Sequence, residues 1–342
     1  MPVLLSEKDV RAVLSMDDLI AAMATALAQF SAGGDVQQPL RTVLVVPGRS
    51  GARTSSASAS DAGGAGFCGV MPAFVPTPSA LGAKLVTVYE SNRARGLPTH
   101  LATIILLDPD TGELVAILDG RYVTEARTAA VSAVSVKHLA RTDARVLAIL
   151  GSGVQARSHI DALTRVRQFD EIRVWGPDPA RRFALVEEML PRVGARLVPV
   201  ESPRDAVQDA HVIALVTAAR EPIVARRWIA DGAHICAVGA CRPDQREMDT
   251  ALVRDARVFV DSRSGALAEA GDLVIPIQEG AITPAHIDAE LGAVINGAAA
   301  GRRAPDEITI FKSLGMAVED VAAARLAWER ASERGLGRGF VL

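Results

Sequence analysis

The stretch "LAILGSGVQARSHIDAL", residues 147–163, decides the fold of this chain. Its apolar start is typical of a buried strand, and the pattern that begins at about Val154 predicts a helix. Gly151, Gly153 and Ala156 form a GxGxxA turn at the junction. In such a turn, backbone N–H groups and the helix dipole can hold a pyrophosphate. The stretch therefore predicts a dinucleotide site.

The sequence after Arg145 alternates between strand and helix patterns. Six candidate strands follow one another, most of them separated by helical segments: "RVLAIL", "EIRVWG", "ARLVPV", "HVIALVT", "HICAVGA" and "RVFVDS". Parallel strands joined by helical crossovers form a doubly wound sheet. The second half is therefore predicted to be a Rossmann-type α/β domain.

The first half of the chain does not show this alternation of strand and helix patterns. Helices are predicted over about 16–31 and over 121–140, and short apolar strands lie between them. The segment "PDTG" joins the last two strands as a hairpin turn. These patterns predict a largely antiparallel or mixed sheet. Small residues fill 48–66, which we expect to be a mobile loop, and a final helix over 313–335 is expected to return to the first domain.

The composition of the chain favours a small-molecule partner over a nucleic acid. A chain of 342 residues favours two domains, and 49% hydrophobic with 23% charged residues is typical of a globular protein. The net charge of -3 and the aromatic content of 4% argue against a nucleic-acid partner. We therefore expect a small-molecule ligand.

The cysteines and the N-terminus bear on compartment and metals. Cys68, Cys236 and Cys241 are too few and too scattered for a disulfide framework or a zinc site, so no metal is predicted. The N-terminus lacks a basic region before an apolar core, and no uncharged apolar run approaches the roughly 18 residues of a membrane span. The expected location is the cytoplasm, with no membrane partner.

Six blocks of sequence, read outward from the glycine turn, occur in one order. They are "GAKLVTVYESNRARGLPTH", "LLDPDTGELVAILDG", "EARTAAVSA", "ILGSGVQARSH", "VGACRPDQREMD" and "ITIFKSLGMAVEDVAAA". Together they resemble the ornithine cyclodeaminase/mu-crystallin family over nearly the whole chain. The segments "MPA", "VGACRPDQREMD" and "FKSLGMAVED" look nearest to its branch of ketimine reductases and Δ1-pyrroline-2-carboxylate reductases.

The resemblance implies a division of the chain by role. Residues 1–125 and 313–342 would form a discontinuous α+β domain that dimerises and carries much of the substrate pocket, and 126–312 would form the Rossmann NAD(P)-binding domain. A homodimer is the expected assembly.

The resemblance also assigns side chains to the substrate. It implies that Arg41, Met71, Lys84 and Arg127 contact the substrate, with Lys84 and Arg127 also in catalytic roles. The forked guanidinium of Arg127 can bind a carboxylate through two hydrogen bonds. A surface or salt-bridge role is the alternative for each cation. Lys84 fits that alternative least, because it lies in a strongly apolar strand, where an unpaired charge is costly.

The predicted cofactor is NADP(H) in preference to NAD(H). The strand after the glycine turn ends at Gly176 without a carboxylate for the ribose, and Arg181 and Arg182 could accept a 2′-phosphate. The alternatives are that both arginines are solvated and that Asp178 reaches the ribose. The predicted cofactor-binding residues are Thr128, Gly151, Gly153, Val154, Gln155, Ala156, Gly176, Arg181, Thr217, Val238 and Ser313.

One departure from the family separates reactions within it. Where cyclodeaminases have an aspartate after a glycine pair, this chain has Ala240 and Cys241. Cyclodeamination needs a general acid/base, and a thiol is a poor replacement, whereas a protonated ketimine chiefly needs orientation beside a hydride donor. Cys241 is predicted to occupy a catalytic position, where its simplest role is that of a small residue lining the pocket.

The resulting hypothesis is NAD(P)H-dependent reduction of a cyclic ketimine carboxylate, Δ1-pyrroline-2-carboxylate or Δ1-piperideine-2-carboxylate, to L-proline or L-pipecolate. The alternatives are ornithine cyclodeaminase, an alanine or N-alkyl amino acid dehydrogenase, and a non-catalytic protein that binds NADPH and a small ligand.

Overall fold

The computed structural model describes residues 1–47 and 66–341. The chain divides into two compact units. The first unit comprises Met1–Ser15, Gly34–Thr124 and Met316–Leu342, and the second comprises Met16–Gly33 and Glu125–Gly315. The segment Met16–Gly33 thus groups with the second unit, whereas the sequence-based division placed it with the first domain. The small-residue tract lies, except for Gly66, outside the described residues.

The described residues form fifteen strands and eleven α-helices. The strands are β1 (Val3–Leu5), β2 (Thr42–Val46), β3 (Gly66–Pro76), β4 (Ser79–Val88), β5 (His100–Leu107), β6 (Leu114–Asp119), β7 (Val146–Leu150), β8 (Glu171–Trp175), β9 (Arg196–Pro199), β10 (Val212–Leu215), β11 (His234–Ala237), β12 (Arg257–Val260), β13 (Ile287–Glu290), β14 (Thr309–Lys312) and β15 (Arg338–Gly339). The helices are α1 (Glu7–Val13), α2 (Met16–Ala32), α3 (Gly120–Leu139), α4 (Val154–Val166), α5 (Pro179–Met189), α6 (Pro203–Val207), α7 (Thr250–Asp255), α8 (Arg263–Glu269), α9 (Gly271–Gln278), α10 (Leu291–Ile295) and α11 (Ala317–Glu333).

The second unit is built on an eight-stranded sheet in the order β13-β12-β14-β11-β10-β7-β8-β9. All neighbouring pairs in this sheet are parallel. The chain steps from β7 to β8 and β9 on one side and returns to β10 on the other, so the strand order reverses beside β7. The predicted doubly wound α/β sheet is therefore confirmed. Such a reversal is where α/β sheets bind ligands at the carboxyl ends of their strands.

Short polar residues start many of the helices. Each accepts a hydrogen bond from a backbone N–H of the first turn, which satisfies a donor that the helix itself leaves open. These N-cap residues are Ser6, Asp178, Ser202, Asp249 and Ser262. The two long helices predicted from the sequence, α2 and α3, begin and end within one residue of the expected positions.

The first unit contains a seven-stranded mixed sheet in the order β15-β1-β6-β5-β4-β3-β2. β1 runs parallel to β6, and the other neighbouring pairs are antiparallel. The predicted hairpin between β5 and β6 is confirmed, and the Asp108 carboxylate accepts hydrogen bonds from the backbone N–H groups of Asp110 and Thr111 in its turn. Helix α11 packs on β3, β4 and β5.

Two predictions about the C-terminal part were wrong. The sheet has β13 and β14 beyond the six predicted strands, and the final helix begins at Ala317 instead of residue 313. Asp261 holds the segment before the helix, because its carboxylate accepts the N–H groups of Leu314 and Gly315 at 2.6 and 2.8 Å. Gly315 also has a φ of +79°, a left-handed conformation that does not continue a right-handed helix.

No helix among the described residues has the length and apolar character needed to cross a bilayer. Residues 1–47 and 66–341 also contain no group of three or more metal-ligating side chains. The cytoplasmic location stays a prediction from the sequence.

Two neutral histidines lie in the interior of the second unit. His159 Nε2 is 2.9 Å from Ser132 Oγ, and His234 Nε2 is 3.0 Å from Ser135 Oγ. Burial lowers the pKa of His159 to about 4, and burial together with nearby arginine charges lowers the pKa of His234 to about 3. The folded protein therefore keeps both rings uncharged at neutral pH.

Acid should destabilise the protein through these histidines. Their pKa values are depressed in the folded state, so unfolding takes up protons below about pH 6.5. The free energy of unfolding therefore falls down to about pH 4 through His159 and down to about pH 3 through His234. His159 contributes at most ~3 kcal/mol and His234 at most ~5 kcal/mol to this decline. Urea unfolding at a series of pH values measures it. His159→Gln should reduce the slope, and an unchanged slope would show that His159 does not titrate as described.

Candidate active site

Two close approaches and one open position shape the glycine turn between β7 and α4. Gly151 has a φ of +134°, and a Cβ there would lie 2.7 Å from the carbonyl oxygen of Val216. A Cβ on Gly176 would lie 2.7 Å from Ser152 Oγ. Gly153, the N-cap residue of α4, faces open space, since a Cβ there would meet no described atom within 4 Å. The turn thus leaves room for an anion at the N-terminus of a helix.

Gln155 Oε1 and Ser313 Oγ are among the buried polar atoms of the second unit that have no hydrogen-bond partner in the described part of the chain, and both are at positions predicted to bind the cofactor. A buried polar atom without a hydrogen bond is costly, so each calls for a ligand group. Val154 is exposed on the first turn of α4, whereas Thr128 and Ala156 are buried. These features fit a bound dinucleotide.

Gly153 allows a test that separates ligand binding from folding. Gly153→Ala should leave the free energy of unfolding within about 0.5 kcal/mol of wild type, because its added methyl group meets no described atom. It should weaken NADH binding by about tenfold or more, because that methyl group enters the space left for the pyrophosphate. Fluorescence titration with NADH measures this effect.

Gly151→Ala is the matched comparison for Gly153→Ala. Its methyl group would collide with the Val216 backbone in a left-handed conformation, so it should lower stability as well as NADH affinity. Wild-type NADH affinity in Gly153→Ala would contradict the assignment of the turn.

The end of β8 holds the residues predicted to select the cofactor. Asp178 caps α5 by accepting the N–H of Arg181, and the two side chains also form an exposed ion pair at 3.3 Å. Arg182 is buried and donates to both carboxylate oxygens of Glu201 at 2.9 Å. Of the two arginines considered for a 2′-phosphate, Arg181 is therefore the exposed one.

A buried carboxylate connects the loops that follow β10 and β11. Glu247 accepts hydrogen bonds from the N–H and hydroxyl of Thr217 at 2.8 and 2.7 Å, and from the N–H of Gly239 at 2.8 Å. Asp272 accepts the N–H of Glu247 at 2.8 Å and pairs with Lys312 at 3.0 Å. The sequence reasoning selected Thr217 but missed Glu247, Asp272 and Lys312.

Burial and neighbouring charges have opposing effects on the pKa values of Glu247 and Lys312. Burial, and after it the Asp272 charge, raise the pKa of Glu247, whereas Lys312 and the hydrogen bonds from Thr217 lower it, and the net pKa is about 7. Burial lowers the pKa of Lys312, but attraction to Asp272, Cys241 and Glu247 outweighs burial and raises it overall. Cys241 is partly buried, and its thiol donates to the carbonyl oxygen of Val238 at 3.1 Å.

Arg127 is buried in the second unit and lies against the segment that precedes α11. A Cβ on Gly315 would lie 2.5 Å from Arg127 Nη1 and 2.6 Å from Nη2. Asp261 fixes that segment by accepting the N–H groups of Leu314 and Gly315. Only glycine therefore leaves the guanidinium where the structure has it.

The first unit contains a buried ion pair between Lys84 and Asp320. Lys84 Nζ lies 2.5 Å from Asp320 Oδ2, and both side chains are almost fully buried. Met71 is the register partner of Lys84 across β3 and β4, and it is buried too. The structure therefore brings Lys84 and Met71 together, and it adds Asp320, which the sequence reasoning missed. The acidic pair "ED" in an alanine-rich helix was the available signal.

Arg41 lies at the start of β2 and is partly exposed. The next residue, Thr42, pairs with Val70, so Arg41 is near the level of Met71 in the sheet.

Comparison with known proteins agrees with this fold. The sequence profile of the ornithine cyclodeaminase/mu-crystallin family matches residues 1–335. The chain belongs to this family. Ketimine reductase mu-crystallin of Mus musculus is 43% identical over 333 residues, which cover 96% of this chain and 97% of that protein.

Solved structures of family-like proteins match the whole chain. The Thermococcus litoralis Δ1-pyrroline-2-carboxylate reductase in complex with NADH and L-proline matches with a TM-score of 0.91 and 37% identity, covering 99% of this chain and 100% of that one. An archaeal alanine dehydrogenase dimer with bound NAD matches with a TM-score of 0.89 and 29% identity, covering 99% of both chains. The resemblance seen in the sequence is therefore confirmed.

Proposed function

We propose that this chain is an NAD(P)H-dependent imine reductase. It reduces a cyclic ketimine carboxylate, Δ1-pyrroline-2-carboxylate or Δ1-piperideine-2-carboxylate, to L-proline or L-pipecolate. The observation that carries the proposal is the match, over 99% of the chain, to a Δ1-pyrroline-2-carboxylate reductase that holds NADH and L-proline. The similarity to a ketimine reductase supports the same reaction class.

Arg127 and Lys84 bind the substrate carboxylate in this proposal. The guanidinium of Arg127 offers two parallel N–H donors, which match the two oxygens of a carboxylate. The Asp320 carboxylate compensates the buried charge of Lys84, whose ammonium offers hydrogen-bond donors to the substrate. Arg41 adds positive charge, and Met71 packs beside the ring of the substrate.

The proposal assigns no general base to Cys241. A ketimine that is protonated on its ring nitrogen is already electrophilic, so its reduction needs orientation more than proton removal. Cys241 donates its thiol hydrogen to the Val238 carbonyl, which suits a small residue that lines the site.

The glycine turn, Gln155 and Ser313 hold the dinucleotide. When bound, the reduced nicotinamide supplies the hydride that adds to the imine carbon. Gly153 and Val154 offer backbone N–H groups to the pyrophosphate, whereas Gly151, whose N–H donates to the carbonyl oxygen of Trp175 at 2.7 Å, lets the backbone approach closely. Thr217 and Val238 lie on loops at the same edge of the sheet. NADP(H) is preferred over NAD(H), because the exposed Arg181 can approach a 2′-phosphate and Asp178 is engaged as a helix cap.

We also propose a homodimer formed through the first unit. One face of its sheet exposes apolar side chains of β2, β4 and β5, among them Leu44, Leu85 and Leu101. Register places Leu44 and Leu101 in one row, through Cys68 and Thr87. Large exposed apolar patches mark interaction surfaces, and the similar alanine dehydrogenase is a dimer. Sedimentation equilibrium measures the assembly.

The test of the reaction is a substrate panel. Oxidation of NADPH and of NADH is followed with the two cyclic imino acids and with pyruvate plus amines. Ammonia release is followed with ornithine plus NAD. The proposal expects consumption with a cyclic imino acid, faster with NADPH. Ammonia release from ornithine would instead indicate a cyclodeaminase, and cofactor binding without turnover on any substrate would indicate a ligand-binding protein.

A further inference from the structure

Glu247 joins two loops that border the glycine turn. Thr217 follows β10, and Gly239 follows β11. The first of these loops touches the turn directly, since Gly151 approaches the carbonyl oxygen of Val216. The carboxylate of Glu247 accepts hydrogen bonds from both loops. It therefore fixes their spacing at the edge of the sheet where α/β proteins bind ligands.

The two loops are in backbone contact as well. A Cβ on Gly239 would lie 2.0 Å from the carbonyl oxygen of Thr217 and 2.6 Å from Glu247 Oε1. The N–H groups of Val238 and Gly239 also donate to the carbonyl oxygen of Leu215 at 2.9 and 3.1 Å, and the three hydrogen bonds to Glu247 extend this link to Thr217. Loss of one of these bonds leaves a donor open and lets the loops move apart.

The network extends to a third position beside the cofactor. Lys312, which pairs with Asp272, directly precedes Ser313, whose hydroxyl is buried without a partner among the described residues. Glu247, Asp272 and Lys312 are all fully buried. One connected group of charges therefore reaches the segments that carry Thr217, Val238 and Ser313.

We propose that Glu247 is a positioning residue for the dinucleotide, and that its ionised form holds the loops after β10 and β11 in the arrangement that binds the cofactor. This inference rests on the cofactor part of the proposed function. The ionised form is the stronger acceptor for the three donors that point at the carboxylate, because hydrogen bonds to a charged acceptor are shorter and stronger than those to a neutral one.

The charges around Glu247 place the ionisation of its carboxyl group near neutral pH. Burial and the charge of Asp272 raise the pKa of Glu247, and Lys312 and the hydrogen bonds from Thr217 lower it, which together bring it to about 7. Cys241, on the loop after β11, contributes to the raised pKa of Lys312. Dinucleotide affinity should therefore fall as the pH falls through this range.

The experiment measures the NADH dissociation constant by fluorescence titration, without substrate, from about pH 6 to about pH 9. Wild type should bind about tenfold more tightly at the upper end. Glu247→Gln should bind weakly at every pH. Asp272→Asn removes the charge that raises the pKa of Glu247, so it should move the midpoint to lower pH. Glu279→Gln changes an exposed carboxylate just after α9 and should behave as wild type.

Thermal unfolding of each variant separates positioning from folding. Wild-type affinity and pH dependence in folded Glu247→Gln would overturn the inference. If that variant does not fold, an unmoved midpoint in Asp272→Asn would overturn it. Because no imine is present, failure to reduce imines leaves this result intact. Absence of both NADH and NADPH binding in wild type would overturn the inference and the proposed function together.

Discussion

Arg127→Met should reduce kcat/KM for Δ1-pyrroline-2-carboxylate by about a thousandfold, equivalent to about 4 kcal/mol. The variant removes the forked donor that we propose binds the substrate carboxylate and retains an apolar side chain of similar length. Steady-state kinetics with saturating NADPH measure the effect. Because the carboxylate is bound both before and during hydride addition, much of the loss should appear in KM.

Two variants control the Arg127 result. Arg165→Met removes an arginine of the second unit whose exposed ion pairs lie on α2 and α4, and it should leave kcat/KM unchanged. Gly315→Ala keeps Arg127 but forces its guanidinium to move, so it should reproduce part of the loss. Wild-type kinetics in Arg127→Met would show that this side chain does not bind substrate.

Lys84→Met should cost both activity and stability. It leaves the Asp320 carboxylate buried without its counter-charge, which destabilises proteins by about 3–5 kcal/mol. It also removes a donor to the substrate, so kcat/KM should fall by about a hundredfold or more. Urea unfolding and steady-state kinetics measure the two effects separately.

The double variant Lys84→Met/Asp320→Leu distinguishes these roles. An apolar pair of similar volume can replace a buried ion pair at little cost, so stability should return close to wild type. Activity should stay low, because the donor is still absent. Glu329→Gln, which breaks an exposed pair with Arg325 on the same helix, is the matched control. Recovery of activity with stability would mean that the Lys84–Asp320 pair is structural only.

Local patterns made much of the fold predictable. The strand, turn and helix around Gly151 follow from residues that are neighbours in sequence, because apolar periodicity and glycine conformations act over a few positions. The hairpin at "PDTG" and the helix α3 could be predicted for the same reason. The family resemblance added the candidate cations, which no local pattern identifies as ligands.

Contacts between distant segments account for what the sequence did not reveal. Asp261, far back in the chain, holds the segment before α11 by accepting the N–H groups of Leu314 and Gly315, and the left-handed φ of Gly315 keeps that segment out of the helix. Glu247 and Asp320 are ordinary acidic residues in sequence, and only folding surrounds them with donors or a buried lysine.

The most direct measurement of the proposed reaction follows the transferred hydrogen. The purified protein is incubated with Δ1-pyrroline-2-carboxylate and NADPH that carries deuterium at C4, and the product is analysed by mass spectrometry and chiral chromatography. The account predicts L-proline with one deuterium at C2, and a much smaller yield from Arg127→Met. Consumption of the cofactor without deuterated proline or pipecolate from the corresponding imine, or no consumption at all, would contradict it.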